Sequence, residues 1–194
     1  QTSCLDADAG YYVPTTAATS QTACSAGTYQ VLTGQTSCLD ADAGYYVASA
    51  GSASQTACSA GTYQPNTGQT SCIDASAGYY VDTTAATSQT ACDPGTYQPD
   101  EGQDACEDAD PGYYVPTAAA TEQTPASPGY YVNTTAATSQ TACAAGTYQP
   151  STGQSSCTDA DAGYYVDSTA ATSQTACSAG TYNPNTGQSS CLDA

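Results

Sequence analysis

Apolar positions along the chain come in very short bursts. Tyr11-Tyr12-Val13, Tyr45-Tyr46-Val47 and Tyr164-Tyr165-Val166 are typical, and Thr28-Tyr29 or Thr62-Tyr63 give a still shorter form. Between the bursts lie long stretches of Thr, Ser, Ala, Gln and Gly. Each burst suits an extended, half-buried strand, because β-branched and aromatic side chains pack well on a pleated surface. The glycine just before each burst supplies a turn or a close backbone approach. Phrases such as Pro65-Asn66-Thr67-Gly68 and Pro184-Asn185-Thr186-Gly187 mark tight turns. The Thr-Thr-Ala-Ala-Thr-Ser segments are alanine-rich, yet their threonines and their shortness disfavour a helix. The pattern therefore predicts strands and turns throughout.

The bursts recur at a fixed interval. A 34-residue register joins Cys4, Cys38, Cys72 and Cys106, then fails, because the next cysteine is Cys143. A 17-residue step does not fail: it runs through Ala7, Cys24, Ala41, Cys58, Ala75, Cys92, Ala109, Ala126, Cys143, Ala160 and Cys177. Three residues after each start stands a glycine, from Gly10 to Gly180, and two further on a tyrosine, from Tyr12 to Tyr182. Repeats this regular mean stacked or strung units. The expected fold is one of small disulfide-rich all-β repeats, an elongated rod or solenoid over residues 1–194. The chain opens and closes partway through the pattern, so it reads as a piece of a longer array.

Two repeat types mostly alternate. One begins with Cys and carries a second Cys near its end, as in CSAGTYQPNTGQTSC (58–72). The other begins with Ala and has Gln at that second place, as in ADAGYYVPTTAATSQTA (7–23). Both cysteines are present or both are absent, which assigns the disulfides as Cys24 with Cys38, Cys58 with Cys72, Cys92 with Cys106, Cys143 with Cys157 and Cys177 with Cys191. Cys4 is left for a partner upstream. The rival scheme pairs each cysteine with the wider-spaced neighbour on its other side, as Cys4 with Cys24. It must then bridge Cys106 to Cys143, a much longer span unlike the rest. In TEQTPASPGYYV (121–132) two Cys-free repeats meet, at 109 and 126. The span between Cys106 and Cys143 then holds no bridge and is expected to be the softest.

Composition fits this picture. Larger aliphatics are few (Leu5, Leu32, Leu39, Ile73 and Leu192), and Phe, Trp and Met are absent. Such a chain lacks the material for a conventional core and needs covalent staples, which places it outside the cytosol. Eighteen acids and no Lys or Arg give a net charge of −18, which repels phosphate backbones and anionic membranes. No nucleic-acid partner is expected. No apolar run approaches the roughly 18 residues that span a bilayer, so no membrane insertion of this segment is expected.

The pattern Cys-x2-Gly-x-Tyr-x8-Cys, with the next repeat three residues later, resembles the ephrin-receptor-like cysteine-rich repeat. It is also similar to the one-disulfide modules of tumour-necrosis-factor-receptor-like ectodomains. CSAGTYQPNTGQTSC (58–72) and CAAGTYQPSTGQSSC (143–157) carry the likeness best. The resemblance implies an elongated β-rich array, a disulfide within each unit, and secreted or cell-surface placement. That family's repeats normally all carry the cysteine pair, whereas here about every second one lacks it.

Candidate chemistry is sparse. Without His, Lys or Arg there is no imidazole base, amine nucleophile or cationic clamp, so no enzyme is expected. No cofactor is expected either, with calcium the weak candidate. Asp6-Ala7-Asp8-Ala9-Gly10 resembles the opening of a calcium loop but lacks a third close acid and the distant Glu, and Ser76 replaces the second acid beside Asp74. Solvated surface charge is the plainer reading. Asn133-Thr134-Thr135 is an N-glycosylation sequon, and the Thr-rich halves near proline suit O-glycans. The tyrosine series reads as a core ladder, or else as a stacking surface for carbohydrate or for other copies. The function expected is an extracellular structural array in a fibre, stalk or surface layer, with self-association and glycans as partners. The alternative is the ectodomain of a receptor or adhesin whose specific site lies elsewhere.

Overall fold

A computed structural model describes residues 4–194. They form two compact bodies: one runs to Ala91 and includes Asp100–Ala105, the other comprises Cys92–Pro99 and Cys106–Ala194. Among the described residues there is no helix, and eleven antiparallel two-stranded hairpins follow one another. Below, position 1 is the Cys or Ala that starts a repeat, and position 17 is the residue before the next start.

Every hairpin has the same register. In the repeat at 41, Tyr45–Tyr46 pairs with Thr56–Ala57, Tyr45 opposite Ala57 and Tyr46 opposite Thr56. In the repeat at 58, Thr62–Tyr63 pairs with Ile73–Asp74. The strands are very short because the glycine at position 4 and the bends after position 7 interrupt extended backbone on either side. A lone two-stranded hairpin of this size has little stability in water; the stacking of repeats supplies the rest.

Stacking runs through backbone groups. From the repeat at 41 to that at 58, Gly44 N–H donates to Gln64 O at 2.7 Å, and Val47 N–H to Gln69 O at 2.9 Å. In return Gly68 N–H donates to Ala41 O at 2.7 Å, and Cys58 N–H to Gly44 O at 2.9 Å. The junction between the two Cys-free repeats, at 109 and 126, repeats the set: Gly112 to Val132 O, Val115 to Ala137 O, Ala136 to Ala109 O and Ala126 to Gly112 O, at 2.7–2.9 Å. The irregular stretch 121–132 is thus an ordinary junction.

Repeats two apart also touch. A Cβ built on Gly61 would lie 2.2 Å from Gly102 O, and one on Gly129 would lie 2.2 Å from Ala170 O. Repeats of like parity therefore pack backbone to backbone, and position 4 admits no side chain where such a contact is made; Gly163 and Gly180, in the last two repeats, have open space there. The touching carbonyl belongs to position 11, which is left-handed in every repeat. Five of these residues are alanines, among them Ala119 and Ala136 with φ 56° and 53°. A left-handed alanine costs about 1–2 kcal/mol. The position is held all the same, because its N–H reaches the position-1 carbonyl of an earlier repeat, as Ala136 does to Ala109 O at 2.9 Å.

The core sits at positions 1 and 7. Cys24, Cys58, Cys92 and Cys143 are buried, as are Ala41, Ala75, Ala109, Ala126 and Ala160 and the valines Val47, Val81, Val115, Val132 and Val166. The tyrosines are mostly half-buried and flank this core instead of forming it. Tyr11 and Tyr113 lay their hydroxyl ends over Gly51 and Gly153, further along the stack.

Candidate functional site

The chemistry-bearing residues meet where each hairpin closes, between positions 1, 2 and 15. In Cys-type repeats the closure is covalent: Cys24–Cys38, Cys58–Cys72, Cys92–Cys106, Cys143–Cys157 and Cys177–Cys191 are bonded, each with Cα atoms 5.8 Å apart. Cys4 is exposed and unbridged.

Cys-free repeats close by a different device. The glutamine at position 15 folds back onto position 2. Gln21 Oε1 accepts from Asp8 N–H at 2.7 Å, and Gln21 Nε2 donates to Asp8 Oδ2 at 2.7 Å. The same two-point clasp joins Gln55 to Asp42, Gln123 to Asp110 and Gln174 to Asp161. Where serine occupies position 2, the amide bond remains: Ser76 N–H reaches Gln89 Oε1 at 2.7 Å and Ser127 N–H reaches Gln140 Oε1 at 2.6 Å. Every repeat thus carries a link near its base, either a disulfide or a glutamine clasp. The sequence pattern displayed this glutamine but not its partner, because the contact present in every clasp is to the position-2 backbone N–H, and the side chain there is Asp in some repeats and Ser in others.

Position 7 makes the complementary exchange. Cys-free repeats put valine there, buried in most of them; stapled repeats put glutamine, or asparagine in the last of them. Gln64 Nε2 donates to Ser71 O at 2.9 Å while its Oε1 accepts from Asn66 N–H at 3.1 Å, tying both sides of its own loop. Gln30 and Gln149 repeat the arrangement. Asn183 is one methylene short. Its Nδ2 reaches Tyr164 O at 2.8 Å, and its buried Oδ1 finds no partner. Asn183→Gln is therefore expected to stabilise the last repeat by about 1–2 kcal/mol, since an orphaned buried acceptor is satisfied. Slower amide exchange across residues 184–190 is the check, and unchanged exchange would refute it.

The acidic pairs do not converge. Asp6, Asp40 and Asp159 lie against Gly34, Gly68 and Gly187, further along the stack, whereas Asp8, Asp42 and Asp161 are engaged by the glutamine clasps. Among the described residues no three of His, Cys, Asp or Glu are grouped to hold a metal ion. The repeat at 92 is the most acidic, with Asp93, Asp100, Glu101, Asp104, Glu107 and Asp108. There the Tyr97 phenol is pushed above its ordinary value, first by burial and then by its hydrogen bond to Glu107 and the charges of Glu107 and Asp110. Asn133 is exposed at position 8, just past buried Val132, and Thr134 and Thr135 are exposed beside it.

A family model described as tyrosine-protein kinase ephrin type A/B receptor-like matches residues 44–92 and again 129–177, together just over half of the chain. Both matched windows begin at a position-4 glycine and end at a position-1 cysteine, and each contains one complete stapled repeat. The chain belongs to the ephrin-receptor-like family. Its membership and its five disulfides mark it as an extracellular or cell-surface protein. Comparison with curated proteins finds no match. No helix among the described residues is long and apolar enough to cross a membrane.

Proposed function

We propose that this chain is a non-enzymatic structural array of an extracellular fibre, stalk or surface layer, glycosylated at Asn133. The observation that carries this reading is the junction. Its four hydrogen bonds use only backbone groups, and they recur unchanged whether a stapled or a clasped repeat follows. An array joined in this way presents one surface many times over, which suits spacing and assembly better than a unique binding site. The carboxylates act in it as hydrogen-bond acceptors and as charge that keeps neighbouring molecules solvated.

Electron microscopy of native material tests this reading. Unbranched filaments of regular width are expected. Isolated flexible strings ending in a distinct head would favour the second reading, an adhesin or receptor ectodomain, which the receptor-like family description supports. Glycosylation is checked by enzymatic removal of N-glycans from the same material. Conversion of Asn133 to Asp is the expected mass-spectrometric result, and an unmodified Asn133 peptide before treatment would refute that part.

A further inference from the structure

A groove lies beside position 5, where the two repeat types differ. Cys-free repeats carry tyrosine at both position 5 and position 6, whereas stapled repeats carry Thr-Tyr. Where a Cys-free repeat precedes a stapled one, the position-6 tyrosine of the first therefore faces a small residue in the second. Between the repeats at 41 and 58 lies a shallow surface groove of about 470 Å³ lined by Tyr46, Thr56, Ala57, Ser59, Thr62, Ser71 and the bridged Cys72. The Thr56, Ser59 and Ser71 side chains are exposed, and Tyr46 is half-exposed. Tyr12, Thr22, Ser25, Thr28 and Ser37 stand at the same positions across the preceding junction of this kind.

We propose that this groove binds neutral carbohydrate, with a sugar ring seated on the tyrosine face and its hydroxyls bonded to the serine and threonine rim. Three observations select that ligand class. Anionic ligands are repelled by a chain with 18 carboxylates and no side-chain cation. Cations find no carboxylate in the lining, although acids are plentiful elsewhere. What remains is a half-exposed tyrosine and two small apolar side chains beside several hydroxyls, which are donors and acceptors alike, and this combination matches a polyol with one apolar face. The same residues recur at the junction of the repeats at 7 and 24, whereas Asp93 and Ala105 replace the two serines in the repeat at 92; repetition suits a polymeric glycan gripped weakly at several points. The proposal does not depend on the fibre reading.

The molecule contains its own control. Tyr114 also ends a Cys-free repeat's first strand, but the repeat that follows is Cys-free as well, so Tyr130 stands where Thr62 would. The test is a titration of the whole chain, labelled with 13C in the tyrosine rings, against cellohexaose, maltohexaose and mannohexaose. Saturable ring shifts at Tyr12, Tyr46, Tyr131 and Tyr165 with at least one of these, and none at Tyr114, are expected. In a second protein Thr28, Thr62, Thr147 and Thr181 are changed to Tyr, the residue that Cys-free repeats already carry there. It is expected to bind at least about tenfold more weakly, a difference readily read from midpoints. Absence of saturable shifts in the wild-type chain with all three sugars overturns the proposal. So does an equal shift at Tyr114, which reports non-specific association.

Discussion

Gly61→Ala is expected to destabilise the array around it by about 2–5 kcal/mol, the sum of a left-handed alanine and an overpacked backbone contact. Gly61 has φ +83°, and an added Cβ would meet Gly102 O at 2.2 Å. That oxygen belongs to the backbone of a turn whose own amide is bonded to Ala75 O at 2.8 Å, so it cannot yield as a flexible side chain would. Gly180→Ala is the internal comparison. It carries the same conformational cost, at φ +89°, but nothing lies within 4 Å of the added carbon. Its cost is expected to stay near about 1–2 kcal/mol. Urea unfolding of the two variants beside the parent measures the difference. Equal losses would show that the contact between repeats of like parity does not hold the stack together.

Position 4 also shows what sequence reading reaches and where it stops. Its glycine was legible as a turn or close approach, because it recurs once per repeat before a strand-forming pair. The group it touches, which for Gly61 is the Gly102 carbonyl two repeats on, was not legible. That contact arises from how the stack rises, and nothing local in the sequence encodes the rise. The tyrosines misled in the opposite direction. Their regularity suggested a core ladder, yet positions 1 and 7 carry the buried atoms. So short a repeat, with strands of minimal length, leaves a core only wide enough for Ala, Cys, Val or an internally bonded Gln. A phenol ring does not fit inside it and lies along the flank. The hairpins themselves were readable because glycine and proline punctuate the chain between strand-forming pairs.

Alternation of repeat types is likewise a matter of side chains laid over an indifferent backbone. Since the four junction bonds ignore what occupies positions 7 and 15, two clasped repeats follow one another at 109 and 126 without altering the stack. Any softness between Cys106 and Cys143 must then come from the missing cross-link, not from lost stacking. The two types differ as matched pairs of choices: Cys at positions 1 and 15 with Gln at 7, or Ala at 1, Val at 7 and Gln at 15. In each, one amide side chain secures the hairpin, at its tip or at its base.

If the glutamine clasp is the functional counterpart of the disulfide, a stapled repeat should be convertible into a clasped one. Removing the bridge with Cys58→Ala and Cys72→Ala is expected to cost roughly 3 kcal/mol, the chain-entropy value for a loop of about 15 residues. Cys58→Ala with Cys72→Gln removes the same bridge but is expected to recover about 1 kcal/mol, the net worth of an ordinary hydrogen bond. The recipient is already in place. Ser59 occupies position 2, and Ser76 and Ser127 show that a serine amide there reaches the glutamine at 2.7 and 2.6 Å. Ser59 offers no carboxylate to the glutamine Nε2, so adding Ser59→Asp should restore the second contact seen between Gln55 and Asp42 at 2.7 Å. Amide exchange at residue 59 reads the clasp directly: protected in the glutamine variants, open in the double alanine. If the Cys72→Gln protein is no more protected or stable than the Cys72→Ala protein, the clasp contributes nothing. The Cys-free repeats would then be held by stacking alone.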